Sequence, residues 1–148
     1  IKPFGIRAMD SMRLEKSYRL ISREMSIEYS ALESGLKRFV RLDKECDFIG
    51  KKALTEWQQR GFINTFVTLE VHGGTDGSEA IYCAGQLVGR ATSGGYGWRT
   101  KKSLALGLVE NKYAEIGTEL EIEILGELYK TTVIEESPFD PGNECLRS

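Results

Sequence analysis

Residues 118–125 read Thr118-Glu119-Leu120-Glu121-Ile122-Glu123-Ile124-Leu125, in which acidic and apolar side chains alternate from Glu119 to Ile124. This pattern is typical of a half-buried β-strand, because successive side chains of a strand point to opposite faces. The stretch therefore predicts a strand whose apolar side chains face a core. Its three glutamates are predicted to be solvated and to discourage edge-to-edge pairing, rather than to act as acids or bases.

The same alternation recurs on the carboxy-terminal side of Gly61. A hairpin is predicted around Ala84-Gly85, because this dipeptide separates two strand-like runs. The predicted strands are residues 63–71, 79–83, 86–92, 103–109, 118–125 and 129–135. Six short antiparallel strands within about 75 residues indicate a small barrel or jelly roll.

Residues before Gly61 follow a helical pattern instead. Apolar side chains at roughly helical spacing predict a helix within residues 6–21, with an extended exit as the alternative for its later part. A second helix is predicted from a cap at Asp47 to about Arg60, with Gly61 just past its end. In this second helix Trp57 is predicted to anchor the core.

The stretch between the two helices shows weaker patterns. Residues 22–34 are predicted to form a connection with a short helical turn, and residues 39–42 a short strand. Because the pattern changes near Gly61, the chain is predicted to be α+β. Residues 1–61 form its mainly helical part and residues 62–148 an antiparallel β-barrel or jelly-roll domain.

Composition and charge limit the partners of the chain. The net charge is −2, and 41% hydrophobic and 28% charged residues are ordinary for a globular protein. No basic footprint indicates a nucleic-acid partner, and no run of 18 apolar residues indicates a membrane partner. No signal peptide is visible, which predicts a cytoplasmic location, or the mitochondrial matrix if the source is eukaryotic. Because the first residue is Ile1, the chain is expected to begin at a cut within a longer protein.

The cysteines and the single histidine do not indicate a metal site or a nucleophile. Cys46, Cys83 and Cys145 are widely spaced, and His72 is the only histidine. A zinc site needs about four ligands with local pairing. Free thiols in a reducing compartment are therefore predicted, and His72 is predicted to be structural or exposed.

Two features remain as candidates for ligand binding. The glycine-rich stretch from Ser93 to Arg99 is interpreted either as a bulged β-turn with packed aromatics, which is favoured, or as a ligand-facing loop with Arg99 reaching an anionic group. A row of arginines either recognises carboxylates or forms a solvated helix face paired with nearby acids. The arginines are Arg7, Arg13, Arg19 and Arg23, and the acids are Asp10, Glu15 and Glu24.

Several short motifs occur in a fixed order along nearly the whole chain. They are residues 5–16 with Arg13-Leu14-Glu15, residues 32–36, 42–44 and 47–54, and residues 88–97, 104–109 and 138–141. In this order they resemble the carboxy-terminal part of the aminomethyltransferases of the glycine cleavage system. Residues 12–19 are more similar to the folate-binding tails of sarcosine and dimethylglycine dehydrogenases, which commonly read R-L-E-K-G-Y-R. Ser17 replaces the glycine of that pattern, and Met9 stands where the aminomethyltransferases carry an arginine implicated in folate binding.

This resemblance implies that residues 1–61 are the remnant of a folate-binding middle domain and that residues 62–148 are the barrel that follows it. It implies a parent enzyme in which FAD, bound upstream, oxidises an N-methyl amine and tetrahydrofolate accepts the one-carbon unit. The family's key aspartate lies upstream, so no catalytic residue is assigned and the fragment alone is expected to be inactive. The candidates for folate binding are Tyr18, for the pterin or aminobenzoyl group, and Arg7 and Arg99, for carboxylates.

Other functions remain open at this point. The chain is alternatively a fragment of a stand-alone aminomethyltransferase, which has a lipoyl-protein partner and no flavin, or of a demethylase that acts on a sulfonium substrate. In a further alternative it has a purely structural role, in which it closes the folate site against the upstream domains of the same chain.

Overall fold

The structure is a computed structural model that describes residues 3–148. Three helices, two short 3-10 helices and six strands make up the described chain. The helices are α1 (Ile6–Glu15), α2 (Lys51–Arg60) and α3 (Glu144–Arg147), and the 3-10 helices are Lys37–Phe39 and Asn111–Tyr113. The strands are β1 (Asn64–Val71), β2 (Ala80–Cys83), β3 (Gln86–Gly97), β4 (Lys102–Glu110), β5 (Glu119–Ile124) and β6 (Glu127–Ile134).

The six strands form one closed antiparallel barrel in the order β1-β4-β3-β2-β5-β6. Closure comes from β6, which pairs with β1 so that Thr68 lies opposite Ile134 and Val71 opposite Thr131. A closed barrel pairs both edges of the sheet, which protects its backbone groups from other chains. The predicted α+β class, with a small antiparallel barrel, is confirmed.

Apolar side chains that alternate along the strands fill the barrel. In β5, Leu120 and Ile122 are buried whereas Glu119 is exposed, as the alternation predicts. The inner face of β1 contributes Val67, Leu69 and Val71 to the same cluster. The long alternating segments therefore fix both the strands and the side of each strand that faces the core.

The outer face of the barrel is partly covered by the first segment of the chain, which is the part before β1 (residues 3–63). Phe66 of β1 and Leu106 of β4 pack against Leu14 of α1 in a second apolar cluster, in which all three side chains are buried. Full burial of a leucine side chain is worth about 1.5–3 kcal/mol. Leu14 therefore anchors α1 on the barrel.

Two predicted segments differ from the structure. Residues 39–42 do not form a strand, because the chain passes through the 3-10 helix Lys37–Phe39 and no strand partner lies beside it among the described residues. The stretch from Ser93 onward is not a loop as far as Thr100. Instead β3 continues to Gly97, with a bulge between Ala91 and Ser93, because β4 pairs with it up to Lys102.

The predicted helices also need correction. Helix α1 ends at Glu15, and α2 begins at Lys51 with Gly50 rather than Asp47 at its cap. Gly61 does end α2, with a φ of 83°. No residue of α2 is buried within the described chain, and Trp57 is 36% exposed, so it does not anchor this core. The physical reason is that the residues described by the structure leave the apolar side of α2 only partly covered, with Leu54 half-buried and Ala53 exposed.

Candidate functional site

The candidate site is the junction between the end of α1 and strands β3 and β4. Arg13, Leu14 and Glu15 form the last turn of α1, and all three side chains are buried. Leu14 supplies the apolar contact, and the charged side chains on either side of it reach different parts of the barrel. The R-L-E motif is therefore an anchoring element in which each residue has its own partner.

The guanidinium group of Arg13 donates hydrogen bonds to three different residues of the described chain. Its Nη2 donates to Ser93 Oγ at 2.9 Å, and its Nη1 donates to the backbone oxygen of Tyr18 at 3.2 Å. Its Nε donates to the carboxylate of Asp10, one helical turn earlier. Every donor nitrogen of this buried cation thus has a partner, which is the arrangement that burial of a charge requires.

Glu24 carries the compensating negative charge and is fully buried. Its carboxylate accepts hydrogen bonds from Thr92 Oγ1 at 2.6 Å and from Ser93 Oγ at 2.5 Å. It also accepts from the amide of Leu20 at 2.8 Å, and Arg13 Nη1 lies 3.7 Å away. A buried carboxylate with this many donors is held in place as an acceptor.

These contacts correct the prediction of a solvated arginine face for two of its four residues, because the side chains of Arg13 and Arg19 are only 9% and 7% exposed. Arg7 and Arg23 are exposed, as predicted. Arg13 does pair with Asp10 and Glu24 as predicted. Glu15, in contrast, binds backbone amides of the β3–β4 turn and no arginine side chain within residues 3–148.

Glu15 joins α1 to two loops of the barrel. Its Oε1 accepts from the amides of Arg99 at 2.7 Å and Thr100 at 2.8 Å, and its backbone oxygen accepts from the amide of Phe139 at 3.0 Å. Lys16 then donates to the backbone oxygen of Asp140 at 2.6 Å. The end of α1 therefore fixes both the β3–β4 turn and the segment after β6.

Ser17 continues the junction along β1. It has a φ of 51° and is fully buried, with its Oγ 2.8 Å from Thr68 Oγ1. The same Oγ accepts from the amide of Ser137 at 2.9 Å. The guanidinium carbon of Arg19 lies 3.7 Å from the centre of the Phe66 ring. Residues 17–19 thus extend the junction to β1 through hydrogen bonds of Ser17 and the contact of Arg19 with Phe66.

The three residues predicted to bind folate lie at different ends of α1. Arg7 is exposed in the first turn, and about 12 Å of helix rise separates it from Glu15. Tyr18 is 47% exposed just beyond the last turn, where its amide donates to Arg13 O at 2.9 Å. Arg99 is exposed above the same end and lies over the ring of Phe139. The structure thus places Tyr18 and Arg99 near one end of the helix and Arg7 at the other.

An open groove of about 1210 Å³ lies elsewhere on the barrel, beside the glycine-rich stretch at residues 73–79. It is lined by Tyr96, Tyr129 and Glu123, among others, and by none of the three predicted residues. No helix within residues 3–148 combines the length and apolar character that crossing a membrane would need. The three cysteines are free thiols, as predicted.

Sequence reasoning identifies Glu24 as a partner of the arginines but misses the barrel residues of the junction. Thr92 belongs to a predicted strand, and Ser93 belongs to a glycine-rich stretch that shows no sign of this contact. The one available signal was Arg13-Leu14-Glu15 itself, because two opposite charges around a leucine suit a buried helix end. In β3 and the β3–β4 turn, the partners of these charges are Ser93, Arg99 and Thr100, which lie 80 to 85 positions away in sequence. A local sequence pattern cannot predict contacts over such separations.

The chain resembles known proteins over both of its parts. Residues 64–140, more than half of the chain, match the family described as the glycine cleavage T-protein C-terminal barrel domain, and residues 1–44 match the GCVT N-terminal domain. The chain is 40% identical over 141 residues to the mitochondrial dimethylglycine dehydrogenases of Mus musculus and Homo sapiens, which covers 92% of the chain and 16% of each relative.

Aminomethyltransferases are similar to a comparable extent. The aminomethyltransferase of Bacillus cytotoxicus is 36% identical over 94% of this chain and 38% of its own length. The crystal structure of the glycine cleavage system aminomethyltransferase T from Bartonella henselae matches 93% of this chain with a TM-score of 0.83 and 25% identity, and 39% of that chain is covered. The chain therefore spans well under half the length of the relatives it matches.

Proposed function

Because this chain belongs to the glycine cleavage T-protein C-terminal barrel family, we propose that it is the carboxy-terminal, folate-binding segment of a flavin-dependent sarcosine or dimethylglycine dehydrogenase. In that role it supports one-carbon transfer to tetrahydrofolate. The higher identity to dimethylglycine dehydrogenases than to aminomethyltransferases supports this choice of parent.

One observation carries the proposal. The R-L-E motif is buried and its polar groups are bound, while the opposite side of α1 carries exposed apolar side chains. These are Met9 and Met12, and Ile6 is exposed as well in the first turn. The polar groups of the R-L-E motif already have partners, whereas the exposed apolar side chains of α1 have none among the described residues. Such exposed apolar side chains are typical of a segment that packs against a further part of a larger folate domain. The proposed role of the chain is therefore to hold one wall of the site in place.

The residues present suit a folate by their chemistry. Tyr18 offers a half-exposed aromatic ring for the pterin or aminobenzoyl group, and Arg7 and Arg99 offer exposed guanidinium groups for carboxylates. When bound, tetrahydrofolate supplies the nitrogen atoms that accept a one-carbon unit. The contribution of this chain is to bind and orient the ligand, since Arg13 fixes the backbone of Tyr18 through its carbonyl oxygen.

The rest of the parent is proposed from the same family relationship. FAD would be bound by an upstream domain that oxidises the N-methyl amine, and that domain would choose the substrate. The proposed partners are folate and the upstream domains of the same chain. The proposed compartment is the cytoplasm, or the mitochondrial matrix in a eukaryote, as the names of the mouse and human relatives suggest.

A purely structural role is the second candidate. It is favoured by the fact that Arg13 and Glu15 use their polar groups within the junction, so that neither is free to contact a ligand. In this case the chain would close the folate site without touching the folate. A fragment of a stand-alone aminomethyltransferase would share the same junction and would differ only in what lies upstream.

Folate binding by the chain separates these roles. We expect residues 1–148 to bind 5-formyltetrahydrofolate with micromolar affinity in a calorimetric titration, and Tyr18→Ala to abolish binding. Phe39→Ala is the matched control, since it also removes an exposed aromatic ring from the first segment. If Tyr18→Ala binds as well as the unchanged chain, the assignment of this ring to the folate is wrong.

The identity of the parent needs a second measurement. Sequencing the coding region upstream of Ile1 is expected to reveal a strand followed by G-x-G-x-x-G, the dinucleotide-binding fingerprint. A start codon about one or two domains upstream, without such a fingerprint, would instead identify a stand-alone aminomethyltransferase or demethylase.

A further inference from the structure

The turn between β3 and β4 carries an exposed pair of aromatic rings. Trp98 is 69% exposed, and Tyr96 meets it edge to face with ring centres 5.0 Å apart. The turn is short, because Gly97 pairs with Lys102 and its carbonyl oxygen accepts from the amide of Lys101 at 2.8 Å. Large aromatic side chains on such a tight turn are held out into solvent, where their apolar surface gains nothing from the core.

Two cations accompany these rings. Arg99 and Lys101 are exposed, and neither forms an ion pair within residues 3–148, whereas Lys102 is bound by Glu70 at 2.6 Å. The guanidinium carbon of Arg99 lies 5.6 Å from the ring centre of Phe139, and Lys101 Nζ lies 5.8 Å from that of Trp98. The aromatic–basic tip is defined as Tyr96, Trp98, Arg99 and Lys101.

The backbone of the aromatic–basic tip is also fixed by hydrogen bonds to Glu15. Glu15 accepts the amides of Arg99 and Thr100 with one carboxylate oxygen and the amide of Phe139 with its backbone oxygen. The same residue therefore fixes the turn and the ring on which Arg99 rests. Side chains on a fixed backbone lose less conformational entropy when they bind, which is an advantage for a contact surface.

We propose that the aromatic–basic tip is a docking site for an acidic segment of a polypeptide. Tryptophan, tyrosine and arginine are the residues that dominate binding energy at protein interfaces. The two unpaired cations select a partner of opposite charge, and their small number suits a few carboxylates rather than the dense charge of a nucleic acid. This inference does not rest on the proposed folate function, although the two share Arg99. Tyr18→Ala, which is expected to abolish folate binding, should leave binding of the acidic segment unchanged.

A fluorescence titration tests the docking site directly. The chain contains two tryptophans, so Trp57→Phe leaves Trp98 as the single reporter. In this background, residues 1–148 are titrated with hexaglutamate peptide at low ionic strength. We expect a saturable change in Trp98 emission, weakened by added salt because exposed charges are screened. We further expect chemical-shift changes in the amides of residues 96–102.

Variants identify the groups responsible. Arg99→Gln combined with Lys101→Gln is expected to weaken peptide binding about fivefold or more, since each exposed charge contact contributes modestly. Lys112→Gln is the matched control, because Lys112 also lies beside an aromatic ring, that of Tyr113, but on another turn. Both altered cations are exposed, so the circular dichroism spectrum of the double variant should be unchanged.

Three results would overturn the proposal. The first is the absence of a saturable signal at millimolar peptide, and the second is equal weakening by the control variant. The third is binding to vesicles that contain phosphatidylglycerol, through the same residues, with no binding of the peptide. This last result would assign the tip to a lipid surface instead.

Discussion

The buried carboxylate of Glu24 accepts a hydrogen bond of 2.6 Å from the hydroxyl of Thr92, although 68 positions separate the two residues. The contact joins the connection after α1 to strand β3 of the barrel. Arg13 lies beside the same carboxylate and supplies the opposite charge. The first segment and the barrel are thus linked by a buried ionic group as well as by the apolar contact of Leu14.

Glu24→Ala is expected to destabilise the chain by about 3 kcal/mol or more, because it removes the buried counter-charge of Arg13 and leaves only the partly exposed Asp10 among the described residues. It also leaves the buried Ser93 hydroxyl without its acceptor. Chemical denaturation monitored by circular dichroism measures the loss. Glu28→Ala is the control, since Glu28 is exposed and lies 4.0 Å from Arg90. Its effect should stay within about 0.5 kcal/mol. Equal effects of the two substitutions would contradict the role assigned to Glu24.

Glu15→Gln is expected to loosen the β3–β4 turn while the barrel stays folded. The glutamine keeps one oxygen acceptor but loses the charge that strengthens the bonds from the Arg99 and Thr100 amides, at a cost of about 1–2 kcal/mol. Amide hydrogen exchange at these two positions should become faster, whereas exchange in β1 should be nearly unchanged. Unaltered exchange at Arg99 and Thr100 would show that the turn does not depend on Glu15.

The barrel was predictable because strand alternation is a local signal. Residues 118–125 and 63–71 identify their inner faces directly, and the strands form as the pattern predicts. The continuation of β3 to Gly97 was not predictable, because glycines carry no alternation and the pairing with β4 that decides it is not local. The predicted strand at residues 39–42 failed for the converse reason, since a short apolar run has no fixed structure without a partner.

The site was less predictable than the fold. Arg13-Leu14-Glu15 was visible as a motif, but its anchoring role depends on Ser93, Thr92 and Glu24, which the fold brings together from distant positions. Trp57 shows the opposite problem. An apolar side chain at helical spacing predicts a core position, yet the residues described by the structure leave it partly exposed. The positions assigned to folate binding, Arg7, Tyr18 and Arg99, stay predictions.

Gly77 is expected to tolerate no side chain. Its φ is 97°, and a Cβ added there would lie 2.7 Å from Ser93 Cα and 2.9 Å from Ser93 N. Gly77→Ala should therefore cost about 3 kcal/mol or more, since backbone strain and a clash with the backbone of β3 add up. Gly126→Ala isolates the strain, because Gly126 has a φ of 84° but open space around it. A loss of only about 1 kcal/mol is expected there. Equal losses would mean that the contact with Ser93 is unimportant.

Arg41 is expected to control the titration of Asp43. Its side-chain hydrogen bonds lower the pKa of the Asp43 carboxyl from 3.8 to about 2. A lowered pKa means that the pair favours the folded chain above pH 3.8, and that this contribution is lost as the pH falls toward 2. Both side chains are exposed, so the effect on stability is small. Arg41→Gln should raise the pKa of Asp43 toward 3.8 in a titration followed by carboxyl carbon NMR, and an unchanged pKa would contradict the pairing.

Ser17 combines an unfavourable backbone conformation with a hydroxyl that has two partners. A φ of 51° costs a non-glycine residue about 1 kcal/mol. The Oγ atom offsets this cost through its contacts with Thr68 Oγ1 and the Ser137 amide, which are worth about 1 kcal/mol each. Ser17→Ala keeps the strain and loses both contacts, so it should destabilise the chain by about 2 kcal/mol.

Ser17→Gly loses the same contacts but removes the strain, so it should be more stable than Ser17→Ala by about 1 kcal/mol. Denaturant titrations of the two variants measure this difference. Thr68→Val, which has nearly the same shape, completes a double-mutant cycle with Ser17→Ala, and a coupling of about 1 kcal/mol is expected. If Ser17→Ala were as stable as the unchanged chain, the hydroxyl would contribute nothing. If the coupling were absent, the bond to Thr68 would not contribute to the junction.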